Sequence, residues 1–198
     1  MKFSEKFESL RRINHIRRYS SYPVLRQENV AEHSFWCSFY AYTIGLEINQ
    51  KNKTEIVNIG ILLEKAMLHD LEESQTGDMI RTFKYADEVA RERLKIVEKG
   101  LLKKALLFHE EVGEHIMKSW ESSKDETIEG KIVSFSDLIC VYLYCFDEIK
   151  IGNSFMFSVL KEAMIHLRKH EQNELLQPYC LELDREIKEM LMQQHILY

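Results

Sequence analysis

The sequence predicts an all-α fold, a single-domain irregular helical bundle. Three observations carry that expectation. Gly and Pro are scarce, 7 and 2 among 198 residues, which leaves few places for the sharp turns that many short strands need. Apolar residues recur at helical spacing in several long segments, and no segment shows convincing period-two alternation. Apolar residues make up 45 % of the chain and charged residues 30 %, a globular balance at a length that suits one domain with a real core.

In chain order, residues 3–14 read as a short amphipathic helix with Phe3, Phe7, Leu10 and Ile13 or Asn14 on one side. Arg17 to Glu28 is irregular, because Pro23 forbids a helix through it. Asn29 reads as an N-cap with Glu32 as its capping-box partner, opening a helix from Val30 to about Ile48. Val30, His33, Cys37, Tyr40, Ala41 and Ile44 share one face of it, so His33 points inward. Thr54 is the expected cap of the next helix, in which Ile56, Ile59, Leu63, Ala66, Met67 and Asp70 fall at helical spacing. The SQTGD segment, 74–78, breaks that helix. A charged helix follows over 85–100, ended by Gly100, and one or two short helices occupy 101–120. Ser123 and Glu126 read as a capping box for a long helix over 125–149, stopped by the IGN at 151–153. Helices over 154–169 and 172–194 complete the chain, with Pro178 sitting awkwardly in the last.

Charge and cysteine usage narrow the function classes. The 27 Lys and Arg against 32 Asp and Glu give a net charge of −5, which disfavours a nucleic-acid binder that needs a basic face. A small anionic ligand remains compatible, since a local metal or arginine reverses a negative field. Cys37, Cys140, Cys145 and Cys180 form no CxxC pair and read as free core thiols in a reducing cytoplasm. The N-terminal stretch lacks an apolar signal core, and no segment approaches a membrane span.

His33, His69, Asp70 and Asp137 are polar residues on the core-facing sides of predicted helices. A buried carboxylate must be paired, protonated or coordinated. Two imidazoles and two carboxylates form a mixed nitrogen and oxygen set that suits manganese, cobalt, iron, nickel or zinc. Taken singly, an inward His is more often a hydrogen-bonded core residue, and Asp137 is as well explained by a buried Arg or Lys partner. Spacing alone leaves a metal centre and a structural polar core evenly balanced.

The segments RENVAEHS, MLHDLEESQTGD and KIVSFSD, read together, resemble the HD-domain superfamily in its ordered H…HD…D pattern of His33, His69-Asp70 and Asp137. Within it the chain is similar to the YfbR-like 5′-deoxynucleotidases and their eukaryotic HD-domain relatives. The likeness spans nearly the whole chain, including Arg18, the Thr76-Gly77-Asp78 triplet, the Lys84-Tyr85 pair and the stretch after Asp137. The resemblance implies an HD-type bundle, a divalent-metal phosphomonoesterase acting on deoxyribonucleoside 5′-monophosphates, and a homodimer. It makes His33, His69, Asp70 and Asp137 the metal ligands. Two departures fall in the expected substrate region: Tyr19 stands where the family commonly has Trp, and Ile80, Arg81 and Thr82 stand where it favours Pro-Thr-Pro.

On this reading Arg18 clamps the phosphate, since a guanidinium binds two oxygens at once. Glu73, four residues after His69, acts as general acid or base; Glu72 beside it competes for that role. Tyr19, His33 and Asp78 contact the nucleotide, Asp78 at a sugar hydroxyl. Each has a plainer alternative: a solvated arginine, a solvent-facing helix-end acid, a helix cap. His109 and His115 are six positions apart and do not share a helical face, which speaks against a second metal held by histidines. The competing functions are another HD hydrolase (a phosphodiesterase or nucleotide-polyphosphate hydrolase), an oxygenase, and a non-catalytic nucleotide-binding HD scaffold.

Overall fold

Amphipathic helices bury their apolar stripes against one another, and here they do so around one long central pair. The computed structural model describes residues 4–84 and 87–196; Phe3 and Tyr85 lie outside the described residues. Helix α1 (Glu5–Glu8) leads into a 3₁₀ turn over Leu10–His15, and then come α2 (Val30–Asn52), α3 (Ile59–Leu68) and the short α4 (Glu73–Thr76) and α5 (Arg81–Lys84). Helices α6 (Glu88–Ala105), α7 (Glu110–Glu121), α8 (Ile128–Lys150), α9 (Met156–His170) and α10 (Gln177–Ile196) follow. Among the described residues the β-type pairing is an isolated antiparallel bridge, Arg17 with Asn29. The expected all-α bundle is what forms.

Helix α2 packs on α3 and α8, α8 carries α9, and α10 closes over α9. Their buried faces meet in a core that includes Cys37, Ala41, Leu62, Ile132, Phe135, Met156, Leu160 and Leu176. A smaller cluster of Leu102, Leu106, Met117 and Trp120 joins α6 to α7. All four cysteines are buried free thiols, as expected. Gly45 lets α2 and α3 approach closely: a Cβ there would stand 2.6 Å from Leu62 Cδ2 and 3.0 Å from Ile59 Cδ1.

Several boundaries differ from the sequence reading, each for a local reason. The first helix splits after Glu8 into a 3₁₀ turn. Asn58, not Thr54, caps α3, accepting the Ile61 amide at 3.0 Å. The buried face of α3 is Leu62, Lys65 and Ala66, whereas Met67 is exposed, so the helix is rotated from the expected stripe. It also ends at Leu68, leaving His69 and Asp70 just beyond it. Gly100 does not stop α6, which runs on to Ala105. Thr127 caps α8 by accepting the Gly130 amide, so the Ser123–Glu126 box does not form. Asn173 accepts the Leu175 and Leu176 amides in a turn, which delays α10 to Gln177. Pro178 is then in the first turn, where its missing N–H costs nothing.

Candidate functional site

Three separate elements bring the chemistry together at one end of the α2–α8 pair. The Asn29–Glu32 capping box fixes the start of α2, the Asn29 side chain accepting the Glu32 amide at 3.0 Å and Glu32 Oε2 accepting the Asn29 amide at 3.1 Å. His33 sits in the first turn that follows and is fully buried. His69 closes α3, and its Nδ1 donates to the Ala66 carbonyl at 2.7 Å. That bond fixes the ring and leaves the Nε2 lone pair facing inward. Asp137 projects from the middle of α8.

His33 Nε2 is 3.1 Å from His69 Nε2 and 3.3 Å from both Asp70 Oδ2 and Asp137 Oδ1. His69 Nε2 is 3.1 Å from Asp70 Oδ2. Donor atoms bound to a shared ion at about 2.1 Å stand about 3.0–3.4 Å apart, the span between octahedral and tetrahedral arrangements. His33, His69 and Asp137 lie close enough together that they could hold one metal ion, and Asp70 stands against both histidines. Burial would raise both carboxyls, but His69 and Lys124 hold Asp70 well below its usual range, and Lys124 and His33 do the same for Asp137. Both are carboxylates at neutral pH, as metal ligands must be.

Arg18 arrives from the loop that the Arg17–Asn29 bridge closes, with its own amide donating to the Glu28 carbonyl at 2.9 Å. Its Nη1 donates to Glu28 Oε2 at 2.8 Å and to His33 Nδ1 at 2.6 Å. It is largely buried, while Arg11, Arg12 and Arg17 are exposed; the solvated alternative for Arg18 does not hold. Tyr19 adopts a left-handed backbone with φ 56°. Its ring stacks on Tyr144 at 4.4 Å, and its amide donates to Asp78 Oδ2 at 3.2 Å. Gly77, at φ 76°, ends α4 and turns Asp78 toward that amide. The loop tip is gripped by fully buried Glu148, which accepts the Leu25 and Arg26 amides at 2.8 and 2.7 Å. Asn153 donates to Glu148 at 2.6 Å and to the Pro23 carbonyl at 2.7 Å.

Glu72 and Glu73 are both buried, not solvent-facing. Glu72 accepts from Trp120 Nε1 at 2.6 Å and faces Lys84 at 3.5 Å. Glu73 Oε2 is buried without a hydrogen-bond partner among the described residues. Burial, then Asp70, Asp78 and Glu72, push its carboxyl well above the ordinary value. Asp70, Glu72 and Glu73 also lie close enough together to form a carboxylate cluster beside the histidine centre. His109 Nε2 donates to the Lys6 carbonyl at 3.0 Å, and His115 pairs with Glu64 at 2.6 Å; neither joins the centre.

Two participants escaped the sequence reading. Lys124 reaches Asp137 Oδ2 at 2.6 Å, although Ser123–Glu126 reads as a cap and gives no sign of an inward lysine. Glu28 lies within the quoted ENVAEHS stretch, but only the folded loop makes it the partner of Arg18. Asp137 turns one oxygen toward His33 and the other onto a lysine, the partner that one of its two sequence readings expected.

The sequence model of the family described as 5′-deoxynucleotidase YfbR-like matches residues 5–179. A 5′-deoxynucleotidase of Vibrio vulnificus (strain YJ016) is 32 % identical over 176 residues, covering 88 % of this chain and 90 % of that protein. The crystal structure of an HD-domain phosphohydrolase from Listeria innocua superposes with a TM-score of 0.65 at 26 % identity, covering 96 % of this chain and all of that one. A cyanophage S-2L HD phosphohydrolase, bound to dA and one catalytic Zn²⁺ ion, shares the fold at TM-score 0.59 and 17 % identity, covering 96 % and 98 %.

Proposed function

The chain belongs to the YfbR-like 5′-deoxynucleotidase family, and from that premise we propose that it removes the 5′-phosphate from nucleoside monophosphates, deoxyribonucleotides foremost. It is a metal-dependent HD-type phosphohydrolase. The observation that carries the site assignment is the convergence of His33, His69, Asp70 and Asp137 within 3.1–3.3 Å contacts. Those four side chains hold a divalent ion, with manganese, cobalt, iron, nickel and zinc all compatible with the donor set. Such an ion supplies Lewis acidity toward a phosphoryl oxygen and lowers the pKa of water.

The chain's own residues do the rest. Arg18, held between Glu28 and His33, presents the rest of its guanidinium to the phosphate. Glu73, whose carboxyl pKa is raised and whose Oε2 has no hydrogen-bond partner among the described residues, exchanges a proton during ester cleavage. Tyr19 and Asp78, joined to each other, form the wall that meets the nucleoside. The residues act within one catalytic domain spanning the chain. No described helix is long and apolar enough to cross a membrane, and four buried free thiols favour the reducing cytoplasm. Phe35, Trp36, Phe39 and Leu46 expose an apolar stripe along α2, the surface best suited to pairing with a second copy.

The test is a phosphate-release panel with added Mn²⁺, Co²⁺ or Zn²⁺, run beside elemental analysis. Release from deoxyribonucleoside 5′-monophosphates is expected to exceed release from 3′-monophosphates, triphosphates and diesters. Chelation abolishes it. His69→Ala is expected to lose bound metal and at least about a hundredfold in rate. Turnover of diesters or triphosphates alone would assign a different HD hydrolase. Full activity in His69→Ala would remove the metal centre from the account.

A further inference from the structure

We propose that Lys124 is a positioning residue that restricts Asp137 to one inward oxygen, offsets the charge of Asp137 and Asp70, and thereby weakens the centre's hold on its ion while sustaining turnover. The inference rests on the metal reading above.

The geometry divides each carboxylate into an inner and an outer oxygen. Asp137 Oδ1 and Asp70 Oδ2 face His33 Nε2, each at 3.3 Å. Their outer oxygens face Lys124 Nζ, Asp137 Oδ2 at 2.6 Å and Asp70 Oδ1 at 3.9 Å. An oxygen hydrogen-bonded to an ammonium is a poor second ligand for a cation, so Asp137 is not free to chelate through both oxygens, while at 3.9 Å Lys124 acts on Asp70 through its charge alone.

The lysine is also held in place from behind. It lies in the turn joining α7 to α8, where the Ser123 amide donates to the Trp120 carbonyl at 3.1 Å and the Asp125 amide to Ser122 at 3.2 Å. Asp125 accepts from the buried Lys65 of α3 at 2.7 Å and from the Thr127 amide at 3.2 Å, and Thr127 caps α8. The turn is thus bolted to the helix that ends at His69-Asp70 and to the helix that carries Asp137. Its side chain is about one-third exposed and needs no contact with substrate to act.

The charge balance gives the sign. Two aspartates alone present −2 to an incoming divalent ion, and Lys124 reduces this to −1. A purely structural lysine would have the opposite signature, because removing it would disorder the ligands and weaken binding.

The experiment measures Mn²⁺ affinity by competition with a chelating dye for wild type, Lys124→Met, Lys124→Gln and Lys124→Arg. It pairs that with kcat and KM for dAMP at saturating Mn²⁺. Lys124→Met is expected to bind Mn²⁺ roughly tenfold more tightly, through loss of the opposing charge. Its kcat falls by roughly tenfold with little change in KM, as for other residues that orient metal ligands. Lys124→Arg stays near wild type in affinity. If Lys124→Met fails to fold, Lys124→Gln carries the same expected sign. Unchanged or weaker Mn²⁺ binding in a folded charge-removed variant would overturn the proposal while leaving the metal centre standing. Absence of Mn²⁺, Co²⁺ and Zn²⁺ binding by wild type would overturn both.

Discussion

Glu72 engages Trp120 and Lys84, whereas neighbouring Glu73 has a buried oxygen with no partner. The two acids are indistinguishable in the sequence, where both look like helix-end residues. Their surroundings separate them. Glu73→Gln is expected to keep its metal and lose about 10²–10⁴ in kcat, read by phosphate release beside elemental analysis. Glu72→Ala leaves the Trp120 indole N–H unpaired in the interior and is expected to cost about 1–3 kcal/mol of stability, read by denaturant unfolding. An active Glu73→Gln would assign proton transfer elsewhere. His33 and Asp137 were readable as candidates because helical spacing turns them inward on α2 and α8, whereas His69 and Asp70 stand just past the end of α3 and were picked out by an apolar stripe that the helix does not keep. Lys124 was not, because nothing in a local SKDE string records that an aspartate 13 positions on will stand beside it.

At the scale of elements, the long helices were readable from their apolar spacing and their ends were not. Asn29 capped α2 as expected because the capping box is a local device. Thr54 and Ser123 failed as caps because Asn58 and Thr127, a few residues on, had competing side chains in better positions. The loop carrying Arg18 was readable as irregular from Pro23, but its anchor, Glu148, lies more than a hundred residues away.

That anchor makes a pH prediction. Burial would raise the Glu148 carboxyl, yet the Leu25 amide, Asn153 and the Arg26 amide outweigh it and lower its pKa from the ordinary 4.5. A group depressed on folding contributes stability that is full above its unfolded value and lost as pH falls through the lower folded value. Glu148→Gln is therefore expected to lose about 2 kcal/mol at neutral pH and to converge on wild type once the pH has fallen below the lowered folded value of Glu148. Urea unfolding across pH reads the difference. A constant gap at all pH values would show that charge is not what grips the loop. The α2–α3 contact makes another: Gly45→Val has no room beside Leu62 and Ile59 and is expected to cost about 1–3 kcal/mol, visible as a lower melting temperature.

The whole molecule was readable as an all-α bundle because scarce Gly and Pro exclude the alternatives, and the family resemblance located its chemistry. The exposed stripe of Phe35, Trp36, Phe39 and Leu46 was not anticipated, since periodicity on α2 reports the inward face more clearly than the outward one. If this stripe pairs two copies, Phe39→Asp is expected to shift the protein to a monomer in light scattering while preserving the helical circular-dichroism signal. A dimer in the variant would move the interface to another surface.

Arg18 on Glu28 and His33, and Lys124 on Asp137, have a consequence for biogenesis. The polypeptide carries its own counter-ions to the acids at its heart, so the nascent chain can reach its native topology before encountering any inorganic ion. On the proposed metal reading, chelator-stripped protein is therefore expected to keep its helical circular-dichroism signal and to be reactivated by simple addition of Mn²⁺, without a denaturation and renaturation cycle; loss of the fold on chelation would show that the ion is needed to fold.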